Sequence, residues 1–531
     1  MASQNRVALN AIWRSLGGLA GAALLLSSAL VALWLSVFGE FVFFVDSTVF
    51  FENADSLLRL WPGNYHFAPG YPLLIALTGF PWTGSLWPLV LVQATFAAII
   101  PWLAFKTFAV FDRTAGIAAG FVCLVTLTPF FFQNTFFHEE MFLFFGFLSI
   151  ALASLFFANR RPKFIYFSLA SASIAYFTQP AVIGFVVGCA GAFTLFVLYH
   201  RMTLKHVAAA LGIFIVLTIA FSKLQDLRHH VHRAHIGRQL FFNTYLRSAP
   251  YGGFDISTPA GAELRRQLLA FFAESFAGSA FNDALPFIEA RIGDDYQELF
   301  GQYVGRSAEL VDRMFARPNK EYFEVFYDLP DKYPGAFSDE LFFRASLSYI
   351  YRHPIIAFRY TLGNFVDLTI GRPWSCVGRA PFPNCRAREN ISFYPAELHQ
   401  VVLTSGRMPD RAYNFLISRI APGALVQSAD IFWRQNYRKL QILSLTFMFL
   451  GWVASVWKAA RSRWTLGAFV VAYVSNVLVF SFLVEPQFRY QVTTIAMCAF
   501  AAGAGIYVLL PSRFIMSDKK AVQAQIAIST F

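Results

Sequence analysis

Residues 16–38, LGGLAGAALLLSSALVALWLSVF, followed by residues 46–72, DSTVFFENADSLLRLWPGNYHFAPGYP, decide how the chain is read. The first run carries no charge and is long enough as a helix to cross about 30 Å of hydrocarbon. It is too long for a signal-peptide core and has no clear small-residue cleavage site, so it is expected to stay as a first spanning helix. Arg6 and Arg14 precede it, which assigns the N-terminus to the cytoplasm and residues 39–86 to the outer side. The second run cannot lie in lipid, because Asp46, Glu52 and Asp55 place carboxylates just beyond the span. Val49, Phe50, Ala54, Leu57 and Leu58 recur at helical spacing, while Asp46, Asn53 and Arg59 take other faces. That pattern predicts an amphipathic helix on the membrane surface over Asp46 to Leu58. Trp61-Pro62-Gly63-Asn64 then breaks it, and the prolines and glycine of His66 to Pro72 prevent its resumption.

Composition agrees with this start. Hydrophobic residues make up 56% of the 531 and charged ones 14%, against about 25% charged in soluble domains. The chain is therefore expected to be an α-helical polytopic membrane protein. Its formal charge of +12 does not call for nucleic acid, because the basic residues recur beside apolar segments, where they set topology and meet anionic head groups. The 62 phenylalanines are read as lipid-facing and interhelical packing. Five cysteines exclude a cysteine-rich scaffold; Cys123, Cys189 and Cys498 fall inside apolar runs as packing residues. Cys376 and Cys385 bracket a proline-rich loop in what would be an oxidising compartment, and a structural disulfide between them is expected.

Further spans are expected at about 86–108, 115–130, 140–157, 164–178, 181–199 and 207–222, and later at about 439–457, 465–483 and 491–510. The turns Arg160-Arg161-Pro162-Lys163, Arg201 to Lys205 and Lys458 to Arg463 all fall on the cytoplasmic side by this count, although none of them set the orientation. About ten spans result, with both termini inside. Residues 1–222 form an N-terminal transmembrane domain of about seven spans carrying the outer loop 39–86, and 438–531 a C-terminal one of about three with a cytoplasmic tail. Residues 223–437 form a large, α-rich outer domain in which Ala345 to Ile370 reads as one or two helices lying on the membrane. Its Arg228-His229-His230-Val231-His232-Arg233-Ala234-His235 is read as a basic strip for lipid phosphates, since no nearby carboxylate or cysteine completes a metal site.

Three outer segments then converge: 39–86, 131–140 and 484–490. In the second, His138-Glu139-Glu140 opens a span, where the carboxylates either cap the helix or, being costly in lipid, meet a partner. In the third, Glu485, Arg489 and Tyr490 share a turn between two apolar helices. Arg489 is poised to fork onto a phosphate, or else pairs with Glu485 or reaches the interface.

Asp46 followed by Phe50, Phe51 and Ala54, and then Tyr65-His66-Phe67-Ala68-Pro69-Gly70-Tyr71-Pro72, resembles the first outer loop of the GT-C superfamily of lipid-linked-sugar glycosyltransferases. The relatives in question are bacterial enzymes similar to protein O-mannosyltransferases and to the aminoarabinose transferase of lipid A. The Thr128-Pro129 to Glu140 segment resembles the family's acid-opened helix, and Glu485 to Tyr490 its late Arg-Tyr turn. The resemblance covers the ordering of the membrane part and not the outer domain. Two departures stand out: Ser47 follows Asp46 where protein O-mannosyltransferases have an acidic pair, and Thr178-Gln179-Pro180 stands where many relatives carry Thr-Arg-Pro.

The resemblance implies a GT-C-like fold in the bacterial cytoplasmic membrane with its site facing the periplasm. It implies transfer of a sugar from a polyprenyl phosphate donor to an acceptor hydroxyl on a glycan, lipid or protein of the cell envelope, with inversion. Asp46 would be the general base, or alternatively only the N-cap of its helix. Arg489, with Tyr490 and His66, would take the donor phosphate. Glu140, Glu139, Asp55, Tyr71 and Glu485 would complete the substrate surface. The sequence requires no cofactor, and a divalent metal is left open. A flippase for lipid-linked sugars would place charges mid-span and break its helices. A polysaccharide polymerase or ligase using the same donors is hard to separate by sequence, and a non-enzymatic scaffold would leave the outer acids and Arg489 without a purpose.

Overall fold

The computed structural model describes residues 2–38, 68–134, 136–229, 257–277, 339–370, 424–483 and 488–510, with single positions between 47 and 57, 237 and 241, and 306 and 312. Among them there is no strand. Six helices are long and apolar enough to cross a membrane: Gly18–Val37, Trp87–Ala109, Glu139–Asn159, Pro180–Tyr199, Lys439–Trp457 and Arg463–Ser481. Each is about 30 Å long at 1.5 Å per residue, matching the hydrocarbon layer. Arg113–Val125, Lys205–Ala220 and Thr493–Leu509 are apolar but shorter.

In chain order the helices are α1 (Ala2–Phe38), α2 (Gly70–Leu77), α3 (Phe80–Thr83), α4 (Trp87–Ala109), α5 (Arg113–Val125), α6 (Glu139–Asn159), α7 (Lys163–Thr178), α8 (Gly184–Tyr199), α9 (Lys205–His229), α10 (Pro259–Ala277), α11 (Asp339–Arg352), α12 (Pro354–Ile370), α13 (Ala424–Trp457), α14 (Arg463–Leu483) and α15 (Phe488–Leu509). They divide into two compact units, one of residues 1–230, 367–477 and 487–531, the other of residues 231–366 and 478–486.

In the first unit α13 packs on α15, α15 on α5, α5 on α4, α4 on α1 and α6, and α6 on α7. Small residues make these approaches close. A Cβ on Gly146 would strike the Phe185 ring at 2.5 Å, one on Gly188 the Ala468 carbonyl at 2.8 Å, and one on Gly120 the Leu24 side chain at 2.7 Å. Polar bonds also cross the apolar interior: Asn476 Oδ1 accepts from the Gly184 N–H at 2.8 Å, and the Ser154 and Thr465 hydroxyls lie 3.0 Å apart.

The third expected span, carried to residue 130, stops at Val125. The Thr126 hydroxyl donates to the Cys123 carbonyl, Leu127 turns left-handed at φ 55°, and Pro129 starts a 3-10 turn, Thr128–Phe130. Proline lacks the N–H that a continuing helix would use. After this early stop residues 131–134 lie across the end of α1, to which Gln133 and Asn134 donate.

In the second unit Thr258 caps α10, its hydroxyl oxygen accepting from the Gly261 N–H at 2.9 Å. α10 packs on α11. The stretch expected as membrane-surface helices is α11 and α12, broken at His353-Pro354. Leu341, Phe342, Ala345 and Tyr349 are buried on one face of α11, whereas Tyr351 and Ile355 are 88% and 80% exposed.

Candidate functional site

A group of hydrogen-bonded polar residues of the first unit lies at one end of the bundle. There the segment after the Thr128–Phe130 turn is stitched to α1 and α4, and through α4 to α2. Gln133 Nε2 donates to the Ala32 carbonyl at 2.6 Å and to Ser36 Oγ at 2.8 Å on α1, and Asn134 Nδ2 donates to the Leu35 carbonyl at 2.7 Å. Gln93, an amide inside the apolar α4, donates to the Gln133 carbonyl at 3.2 Å and accepts from the Tyr71 hydroxyl at 3.0 Å. Tyr71 sits in the first turn of α2, and the close approach of Gly70 to Thr178 Oγ1, 2.7 Å from where its Cβ would be, seats that turn on the end of α7.

Replacing Gln93 with leucine removes the tie and leaves buried carbonyls and the Tyr71 hydroxyl without their partner. Loss of about 1–3 kcal/mol of stability is expected, read as a lower unfolding midpoint of the detergent-purified chain.

His138, Glu139 and Glu140 lie beneath this tie at the start of α6, 3%, 1% and 0% exposed. His138 is the N-cap and makes no side-chain cap hydrogen bond. Its Nε2 lies 3.9 Å from Glu139 Oε1, and its ring is wedged against Phe137 at 4.4 Å and Phe50 at 5.4 Å. Among the described residues neither oxygen of Glu140 has a hydrogen-bond partner. Glu140 therefore does not cap its helix, although the helix dipole favours its charge there. Burial, and after it the charge of Glu139, pushes the Tyr71 hydroxyl well above its ordinary pKa. Tyr71 accordingly stays a neutral donor rather than a phenolate.

The helix expected on the membrane surface is instead packed inward where it is described. Residues 47, 50, 51, 53, 54 and 57 are helical. Phe50, Phe51 and Ala54 are buried with Tyr71, Ile75, Phe80, Phe136, Phe137 and Met141 in one core cluster. The Phe50 ring meets Tyr71 at 5.3 Å and Phe137 at 5.0 Å, edge to face in both cases. An apolar stripe that would satisfy a lipid surface is satisfied here by the aromatic residues before α6.

The start of α15 lies at the same end. Gly503 abuts the Ala118 backbone on α5, and the Tyr507 hydroxyl donates to Asp112 Oδ2 at 2.9 Å. Because the C-terminal half of α15 is thus anchored at the start of α5, its first turn, which contains Arg489 and Tyr490, lies toward the end of α5 and the Thr128–Phe130 turn. Glu139, Glu140 and Tyr71 are therefore brought together, with the first turn of α15 at their end. The side chains of Arg489 and Tyr490, together with Asp46, Asp55, His66, Glu485 and the pair Cys376 and Cys385, lie outside the described residues. Gln93, Gln133 and Asn134 were not singled out by sequence; a lone amide in an apolar helix was the available signal.

Comparison of the chain with protein-family models, with curated proteins and with solved structures finds no match to any of them.

Proposed function

We propose that the chain is a membrane glycosyltransferase of GT-C type. It takes a sugar from a polyprenyl phosphate donor on the outer face of a bacterial cytoplasmic membrane and passes it, with inversion, to an acceptor hydroxyl of the cell envelope. The observation that carries this reading is the placement of charge. Among the residues whose side chains are described, His138, Glu139 and Glu140 are the ionisable acid–base side chains buried in the protein, no aspartate, lysine or arginine being buried, and they sit at one end of a membrane-length helix, not at its middle. Ionisable groups are retained at such cost where they meet substrate. A terminal position suits chemistry at the membrane rim better than a route through the bilayer.

In this reading Asp46 accepts the acceptor's proton as the new glycosidic bond forms and the anomeric carbon–oxygen bond to phosphate breaks. Arg489 neutralises the departing phosphate, with Tyr490 and His66 beside it. Glu140 holds a cationic or hydroxyl group of this assembly, and Tyr71 and Gln93 fix the segment that leads into it.

The test is transfer from a radiolabelled polyprenyl phosphate sugar extract to endogenous acceptors in membranes bearing the chain. With Glu140→Gln, transfer is expected to fall roughly ten- to hundred-fold, the worth of a hydrogen bond to a charged group. The unfolding midpoint should not fall, because an amide is cheaper to bury than a carboxylate. Transfer at the unmodified rate would remove Glu140 from the site, and no transfer by the unmodified chain from any such donor would overturn the reading.

A further inference from the structure

The opposite end of the first unit carries a different assembly. Arg160 ends α6 as its C-cap at φ 54°, and His200 ends α8 as its C-cap. Arg160 Nη2 donates to His200 Nδ1 at 3.4 Å, so two groups that both carry protons in acid face one another. The His200 ring packs on Phe196 at 4.4 Å and on Tyr199 at 5.0 Å. Tyr199, 63% exposed, meets Trp464 at 5.6 Å, and the Arg463 guanidinium lies 5.2 Å over the Tyr199 ring and 5.6 Å over that of Trp464. Arg160, His200 and Arg463 thus form one patch held together by two aromatic rings.

The helix ends explain only part of it. A cation at a helix C-terminus, as for Arg160, is favoured by the dipole. Arg463 occupies the first turn of α14, where the dipole is positive and opposes it. Among the described residues no carboxylate pairs with Arg160, Arg463 or His200. The consequence registers on the imidazole: burial, and then the charges of Arg160 and Arg463, hold His200 below its ordinary pKa. A scattered set of snorkelling cations would not gather like charges in this way. The patch also lies where three membrane-length helices, Glu139–Asn159, Pro180–Tyr199 and Arg463–Ser481, end or begin, which is head-group depth.

From this juxtaposition we infer that Arg160, His200 and Arg463, flanked by Tyr199 and Trp464, form a binding site for the phosphate of an anionic bilayer lipid. The two guanidiniums supply planar donors to the phosphate oxygens, and the aromatic rings pack beside the glycerol region as interfacial tyrosine and tryptophan do. The site stands apart from the carboxylate end and does not depend on the transfer chemistry.

The experiment uses the full chain purified in neutral detergent, with thermal unfolding followed as dioleoylphosphatidylglycerol, dioleoylphosphatidylcholine or inorganic phosphate is added. The phosphatidylglycerol is expected to raise the midpoint saturably, and the other two are not. The double variant Arg160→Gln, Arg463→Gln should need roughly ten- to thirty-fold more phosphatidylglycerol for the same shift, as two lost surface cations predict. Equal response to the zwitterionic lipid, or an unchanged response in the double variant, overturns the site. Stabilisation by inorganic phosphate alone overturns its assignment to lipid. Should the double variant unfold early in detergent, the single variants Arg160→Gln and Arg463→Gln decide: each should need roughly five-fold more phosphatidylglycerol for the same shift, and an unchanged response in both would overturn the inference.

Discussion

Asp46→Asn is expected to lower sugar transfer by roughly 10²- to 10⁴-fold, the usual contribution of a positioned general base, while donor binding and the amount of folded protein stay as they were. Asparagine is the informative substitution because it caps a helix as well as aspartate does. If Asp46 only capped the helix that contains Ser47 and Phe50, the amide would serve equally and transfer would continue. Asp46→Ala removes both roles and cannot separate them. Ser47 is buried, and Phe50 one turn later touches His138, so the chain at this point runs beside the start of α6. Donor retention by the purified variant, measured beside its transfer rate, separates loss of chemistry from loss of binding. Full transfer by the asparagine variant would take Asp46 out of the mechanism.

Gly505→Val should have the largest effect on folding. A Cβ on Gly505 would fall on the Phe447 carbonyl oxygen of α13, and one on Gly451 would fall on Gly505 itself. These neighbours are backbone, which cannot rotate away, so the helices must part along the seam. Overpacking of this kind costs about 3 kcal/mol or more. Most of the chain is then expected to elute as aggregate, with a sharply lowered midpoint in the remainder. The comparison is Gly212→Val, since a Cβ on Gly212 of α9 meets nothing within 4 Å. Equal behaviour of the two variants would show that the α13–α15 contact does not hold the bundle together.

Much of this architecture was legible in the sequence for a simple reason: apolar runs of spanning length have few other uses. Glu139 and Glu140 stood out because charge interrupts such a run, and their burial follows from where they interrupt it. The surroundings of Phe50 were not legible. The same helical spacing serves a helix lying on head groups and one packed on Phe136 and Phe137, and only tertiary contact distinguishes them. Gln93 and Gln133 carry no signal in the sequence because the partners that tie them to other elements lie 22 to 101 residues away. Helix ends were read a few residues long where Thr126 and Leu127 turn the chain before Pro129 acts. The placement of α15 beside α5 needed the Gly503 contact, which no periodicity announces.

The bond from Tyr507 to Asp112 joins residues 395 apart in sequence. During synthesis the helices around Asp112 enter the bilayer long before their partner exists, and the groove along Ala118 stands open to lipid in the meantime. Closing so long a loop comes late and slowly. The early helices form a waiting half-assembly, and quality control in the membrane has this interval in which to act on it. A ribosome that stalls before residue 488 would release a chain whose exposed seam marks it as unfinished.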